Sequence, residues 1–413
     1  MTTYDPYPTV TFAGAPTYAD QTISSISIRS GRNDVTTQPQ PGFASISLWT
    51  DASDPLNVAL SQSVSISIDK GTTGTQEIFA GIISDIDISL QAYGSDGSIA
   101  IYTITAVGPL SQLNRHLVGG SNYAKEFDGT RILNILSEAF LQSWSDVGAT
   151  ITWDGLPTET TWASYDATNV ALVDNLTANV DVPGVYELMA YSDGEADAYT
   201  LAINAANSGR GVLWEGGDGD LHYDDYASRS SASPLTLTAD DILAQGLRTQ
   251  AQWGEIVNDV NVTYRAGTEN ARDENSIIQY GQLSGTRTTQ LHNAADALAQ
   301  ANDFLESRAY PRMYPETITV PLHSPTVTDA TRDALVAVYN GLRINTSALP
   351  TVFGTIFDGF VEGYTWNLTR YTAELALTCS AYSETYLSII WDQIPPTTTW
   401  AGYTPSTQAW QDL

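Results

Sequence analysis

Phe79-Ala80-Gly81-Ile82-Ile83, followed by Ile86 and Ile88, returns later in the chain as Phe357-Asp358-Gly359-Phe360-Val361, followed by Tyr364 and Trp366, at one constant interval. In both copies the later apolar side chains stand two apart, the period of a half-buried β-strand. The same interval sets Val64-Ser65-Ile66-Ser67 on Leu342-Arg343-Ile344-Asn345. After a shorter turn, residues 372–381 replace residues 98–107 as the return strand. There Ala373, Leu375, Leu377 and Cys379 line one face, and Glu374, Thr378 and Ser380 the other, so Cys379 is expected to be a small core residue rather than a nucleophile. The shared Phe-x-Gly implies one backbone demand in both copies, a bulge or a tight bend. The chain therefore reads as one β module written twice.

Outward from the first copy, Ile26/Ile28, Ile46/Leu48, Ile86/Ile88/Leu90 and Ile99/Ile101 alternate in the same way, with turn punctuation at residues 69–74 and 93–97. A β-barrel or sandwich over roughly residues 8–110 follows. At Asp128-Gly129-Thr130-Arg131 the texture changes, and Ile132, Leu133, Ile135, Leu136, Ala139 and Phe140 fall on one helical face. Further helices are expected from Thr168 to about Ala178 and from Thr238, with residues 185–203 and 211–226 as strands and hairpins. Asn293 is placed to cap a helix whose stripe is Ala294, Leu298, Ala301, Leu305 and Ala309. The predicted division is a first β-barrel at 1–115, an α+β domain at 116–245, a second β-barrel with an embedded helical segment at 246–385, and an extended arm at 386–413. Pro395-Pro396 forbids a regular helix in that arm.

A second repeat links Trp153-Asp154-Gly155-Leu156-Pro157 and Trp162-Ala163-Ser164-Tyr165 to Trp391-Asp392-Gln393-Ile394-Pro395 and Trp400-Ala401-Gly402-Tyr403. Both segments are expected to dock alike. Trp391, Trp400, Tyr403 and Trp410 of the arm, with Trp153, Trp162 and Tyr165 of the internal copy, are the candidate interface residues, since large aromatic side chains anchor interfaces.

Composition narrows the function. The chain has 413 residues, 42% of them hydrophobic, enough for several packed domains. Its 47 acidic residues oppose 17 basic ones, a formal charge of −30, and no basic run occurs. Binding to a nucleic-acid backbone needs clustered Lys and Arg, so it is excluded as a function, although an acidic wall past which DNA slides without sticking is compatible. One cysteine rules out an intrachain disulfide and a Cys-based zinc site. The first residues carry no basic and apolar leader, and no stretch approaches 18 consecutive apolar residues, so the expectation is a soluble protein without a classical signal or a membrane-spanning helix.

Candidate chemistry is sparse. The acidic run from Trp214 to Asp225 contains His222 and could bind Ca²⁺ or supply an acid/base pair, but it lacks the EF-hand ligand order, and Gly216-Gly217-Asp218-Gly219 suits a hairpin turn. His116, His222, His292 and His323 are scattered, with no metalloprotease motif and no nucleophile elbow. No catalytic, metal or cofactor residues are assigned and no enzymatic activity is expected.

The sequence resembles tail-hub (baseplate-hub, minor tail) proteins of long-tailed bacteriophages, particularly those of actinobacteria. The carriers are Gly81-Ile82-Ile83 with residues 99–108, Asp128 to Leu133, the acidic hairpin before Leu221-His222-Tyr223, Val257 to Tyr264, Asp273 to Ile277 with Tyr280-Gly281, and residues 359–363. The resemblance implies a mainly β fold with an α+β insert. Two tail-tube-like β-barrels would be separated by the mixed domain, and three chains would present six barrels to a sixfold tube. It further implies a virion protein at the tail tip, made in the host cytoplasm. Its neighbours would be a distal tail ring, the tape-measure protein and other tip proteins, and genomic DNA would pass through the lumen without specific binding. The Trp-rich arm departs from that plan. Ten Trp and 22 Tyr also suit a host cell-wall glycan adhesin, and paired carboxylates would suit a β-rich glycoside hydrolase; both stand as alternatives.

Overall fold

A computed structural model describes residues 4–19, 22–92, 98–140, 169–171, 177–230, 233–243, 246–249, 253–311, 314–353 and 356–382. The N-terminal part is all β: β1 Thr9–Phe12, β2 Ile23–Gly31, β3 Gln40–Asp51, β4 Ser63–Asp69, β5 Thr75–Ala92 and β6 Ser98–Val107. Alternation settles their faces. Ile26, Ile28, Ile46, Leu48, Ile66, Ile68 and Ile104 are all buried.

The middle mixes helices and strands: α1 Asp128–Phe140, β7 Asn169–Ala171, β8 Thr177–Val180, α2 Ala198–Gly209, β9 Val212–Glu215, β10 Leu221–Asp224 and β11 Leu235–Thr238. The expected helix after Thr168 is instead the antiparallel pair β7 and β8, whose Val170, Thr177 and Val180 favour extended backbone. The helix expected at Thr238 is a single 3₁₀ turn, Ala239–Asp241, closed by a Thr238/Asp241 capping box. Conversely, α2 occupies part of a stretch read as strands. Asp197 caps it by accepting from the Thr200 amide at 2.8 Å, and Ala198, Ala202, Ala205 and Ala206 lie buried along it.

The C-terminal part comprises β12 Leu247–Thr249, β13 Asp259–Tyr264, β14 Gly267–Arg272, α3 Glu274–Tyr280, β15 Ser284–Thr288, α4 Ala294–Arg308, β16 Pro315–Pro321, α5 Asp329–Val336, β17 Arg343–Ser347, β18 Ile356–Leu368 and β19 Ala373–Ala381. Asn293 does precede α4, but its side chain donates to Asp296 instead of capping. Ala301, Leu305 and Ala309 of the predicted stripe are buried, joined by Ala297, while Leu298 faces out.

The two β parts have one topology. In the first, the strands lie in the order β4-β5-β6-β3-β2; in the second, β17-β18-β19-β16-β12; every neighbouring pair is antiparallel. Chain order maps onto chain order. Both long hairpins also carry a bulge at the same place, where register shifts between Ile83 and Asp85 and between Val361 and Gly363. The Phe-x-Gly demand has one cause in both copies. A Cβ on Gly81 would strike the Val107 carbonyl and the Phe79 ring, and one on Gly359 the Ser380 carbonyl and the Phe357 ring. One detail departs from the ungapped alignment: Val64 faces Gly81, but Ile344, not Leu342, faces Gly359. The chain between those facing residues is thus two residues shorter in the second copy, a shift that keeps each side chain on its face.

The copies are joined edge to edge, since β2 of the first pairs with β18 of the second, and both belong to a 13-stranded sheet among the described residues. Their buried side chains form one continuous core. A separate core unites α1, α2 and β8–β10 with β13, β14 and α4. No described helix is long and apolar enough to cross a membrane.

Candidate functional site

A cluster of buried charged residues lies where the two β parts meet. β18 bends at its bulge, so that Ile356 to Phe360 lie beside β17 while Gly363 to Leu368 lie beside β2. The extra residue, Glu362, is thereby turned inward. Its carboxylate accepts from Arg32 Nε at 2.6 Å, Arg229 at 3.0 Å and Ser380 Oγ at 2.5 Å, and its carbonyl accepts from the Arg32 amide at 2.8 Å. Burial alone would raise this carboxyl, but the Arg229 and Arg32 guanidiniums outweigh it and hold its pKa at about 2. Beside it Gly31 has φ +94°, and a Cβ there would lie 2.5 Å from both the Asn340 side chain and the Glu362 carbonyl.

Arg32, Arg210, Arg229, Arg287 and Arg308 all line one cavity at this joint. Arg210 pairs with Asp303, and Arg308 with Asp34 at 3.2 Å. A chain with only 17 basic residues thus places several of them inside, leaving its acids to dominate the outside.

A second joint fastens the α+β part to the first β part. Glu215, at the end of β9, is buried and accepts from the Gly42 amide of β3 and from the Leu110 amide at 3.0 Å. Burial pushes its pKa up to about 7 against those two donors. Asp128, which starts α1 and accepts from Tyr186 N at 2.8 Å and Tyr223 Oη at 2.5 Å, is pushed up to about 6 by burial. Asp224, accepting from Trp214 Nε1 at 2.8 Å, likewise rises to about 6 through burial.

A pH dependence follows from these carboxyls. Unfolded, they ionise near pH 4, whereas folded they keep their protons until about pH 6 to 7, so the folded state binds more protons in between. Their stabilisation is complete below about pH 4 and is lost as pH rises through 6 to 7. Glu362 acts in the opposite sense: its contribution is present above about pH 4.5 and is lost as pH falls towards 2. Thermal unfolding is expected at a higher temperature at pH 5 than at pH 8, and Glu215→Gln should flatten that difference. A transition temperature climbing from pH 5 to pH 8 would contradict the assignment.

The aromatic interface candidates Trp153, Trp162, Tyr165, Trp391, Trp400, Tyr403 and Trp410 lie outside the described residues. The acidic run is a β-hairpin, β9 to β10, closed by Gly216 N donating to Asp220 O at 2.8 Å, with Gly219 at φ +87°. His222 stacks on Trp214 at 4.0 Å, and Trp214 on Tyr339 at 5.4 Å. Among the described residues, no three His, Cys, Asp or Glu side chains converge as metal ligands. Cys379 is buried in the strand face predicted for it, and burial pushes its thiol up, away from nucleophilic use. The residues missed by the sequence reading are Glu362, Arg32 and Arg229, while Glu215 lay in the acidic run that was read as a hairpin turn. The only signal available was a carboxylate inside an apolar strand, Val361-Glu362-Gly363.

Comparison with solved structures gives the fold a context. The 43 kDa tail protein of prophage MuSo2 from Shewanella oneidensis matches with a TM-score of 0.58 and 11% identity, over 92% of this chain and 98% of that one. A tail protein from Neisseria meningitidis MC58 matches at 0.56 and 13%, over 92% and 99%. Prophage tail protein gp18 from Listeria monocytogenes EGD-e matches at 0.51 and 9%, over 91% and 95%. The likeness is one of fold, and it spans nearly the whole of each partner. No protein-family model and no curated protein matches the sequence.

Proposed function

We propose that this chain is a structural, non-catalytic hub protein at the tip of a phage tail, with the actinobacterial host group as an expectation from the sequence. Three copies form a ring whose six repeated β units continue a sixfold tail tube and let DNA pass. The observation that carries this reading is the repeated strand order β4-β5-β6-β3-β2 and β17-β18-β19-β16-β12, with the bulge in the same place in both. One chain so built supplies two equivalent positions of a ring, and three chains supply six. Fold likeness to tail proteins, two of them from prophages, over almost the entire chain supports the same role.

On this reading, the ring units are drawn from residues 1–115 and 246–385, residues 116–245 flank them together with the β13-to-α4 segment that shares their core, and the arm at 386–413 docks through its tryptophans. The described residues of both repeats share one sheet with no closed barrel, and on this reading the barrel wall is completed only in the assembled ring. The distal tail ring, tape-measure protein and further tip proteins are its neighbours, and the charge of −30 keeps DNA from condensing on the lumen. Light scattering on the purified protein, alone and with its tail-ring partner, is expected to give the mass of three chains in at least the second case. A mass of one or two chains in both cases would overturn the reading.

A further inference from the structure

We propose that the exposed half of β5 is a docking edge for a second copy of this chain, and that the strand it receives is β12. The argument compares equivalent positions in the two repeats. The second half of β18 is covered by β2, with Ile28 opposite Trp366, Ser27 opposite Asn367 and Ile26 opposite Leu368. At those three positions of β18, the repeat places Ile88, Ser89 and Leu90 of β5. Trp366 and Leu368 are 0% and 1% exposed, whereas Ile88 and Leu90 are 56% and 67% exposed. The same strand in the same module is thus buried in one copy and bare in the other. Among the described residues, β5 pairs with β4 only as far as Ile82, and no strand lies beside Ile86 to Leu90 on that side.

The occupant follows from the same equivalence. β2 is the outermost strand of the first module, and β12 holds that place in the second. Ile26 reaches Ile104 through Ile46, and Leu247 reaches Leu377 through Ile318, so the two ladders match at Leu247 and Arg248, after which β12 shifts register against β16. Transferring the internal joint to two chains puts Leu247 of the second copy opposite Leu90 and Arg248 opposite Ser89. Arg248 then lies diagonal to Asp87, within reach of a long side chain and of opposite charge. An apolar, unpaired strand edge is a template for another strand, and here that strand is fixed in identity and register. Because donor and acceptor edges differ, each copy still offers one of each after pairing. Such a head-to-tail contact builds rings or filaments. The contact itself requires only a second copy; its closure at three copies rests on the hub reading.

The full chain carrying Ser89→Cys and Arg248→Cys tests this by oxidation at high protein concentration, with Leu90→Cys and Leu247→Cys as a second pair. Ser27→Cys with Asn367→Cys is the control within one chain, where the native side chains are 3.2 Å apart. Disulfide-linked multimers are expected for either intermolecular pair. Leu90→Asp should weaken association roughly tenfold to a hundredfold, as expected from losing one buried leucine. If the control closes while both intermolecular pairs stay unlinked, the edge contact is wrong, whether the protein is then trimeric or monomeric. If the pairs link but the products run past three chains or stop at two, the edge contact holds and the threefold hub reading falls.

Discussion

Glu362→Ala is expected to lower stability by about 3–5 kcal/mol, because it leaves the Arg32 and Arg229 guanidiniums buried without their shared carboxylate. Glu362→Gln should cost somewhat less, since an amide still accepts a hydrogen bond but carries no charge. The equivalent bulge residue of the first repeat is Ser84, which merely donates to the Thr105 carbonyl at 3.2 Å, and Ser84→Ala should stay within about 0.5 kcal/mol of the parent. Urea unfolding followed by near-ultraviolet circular dichroism separates the cases. Equal, small effects at positions 84 and 362 would show that the buried cluster does not hold the repeats together.

The second large effect sets Trp366 against Ile88, two residues at the same position of the repeat. Trp366→Ala removes a fully buried indole from the shared core and is expected to cost about 3–5 kcal/mol. Ile88→Ala, on an exposed edge, should cost under about 1 kcal/mol in the isolated chain. Trp366→Phe is expected to be mild, because the indole N–H of Trp366 is buried without a hydrogen-bond partner among the described residues, and its loss removes a penalty. Chemical unfolding of the monomer should give this order. In the assembled particle, Ile88→Ala should become costly as well, and a variant harmless in both states would contradict the docking edge.

Much of the β architecture was legible because its signal is local. Ile46, Leu48, Ile66 and Ile104 alternate with polar neighbours, and a period of two survives whatever the strand packs against. The repeat was legible because both copies bring a return-strand carbonyl and a Phe ring against one glycine, so Gly81 and Gly359 were retained. Helix α2 was misread because Tyr199, Thr200 and Ile203 suggest strand by composition. Its better signal was the Asp197 cap followed by alanines three and four apart. Beyond a carboxylate inside an apolar strand the joint left no mark: Arg32, Arg229 and Glu362 come from three distant parts of the chain, and only the fold brings their charges within hydrogen-bonding range. The bare edge at Ile88 and Leu90 was equally hidden, since alternation says that a residue is apolar and not what covers it.

The most direct test is a reconstruction of the assembled tail tip by electron cryomicroscopy with threefold averaging only. The account predicts that the two repeats of each chain lie at equal distance from the axis, about 60° apart, with Leu90 facing Leu247 of the next copy. Repeats at different radii, or an Ile88–Leu90 edge facing solvent in the particle, would contradict it.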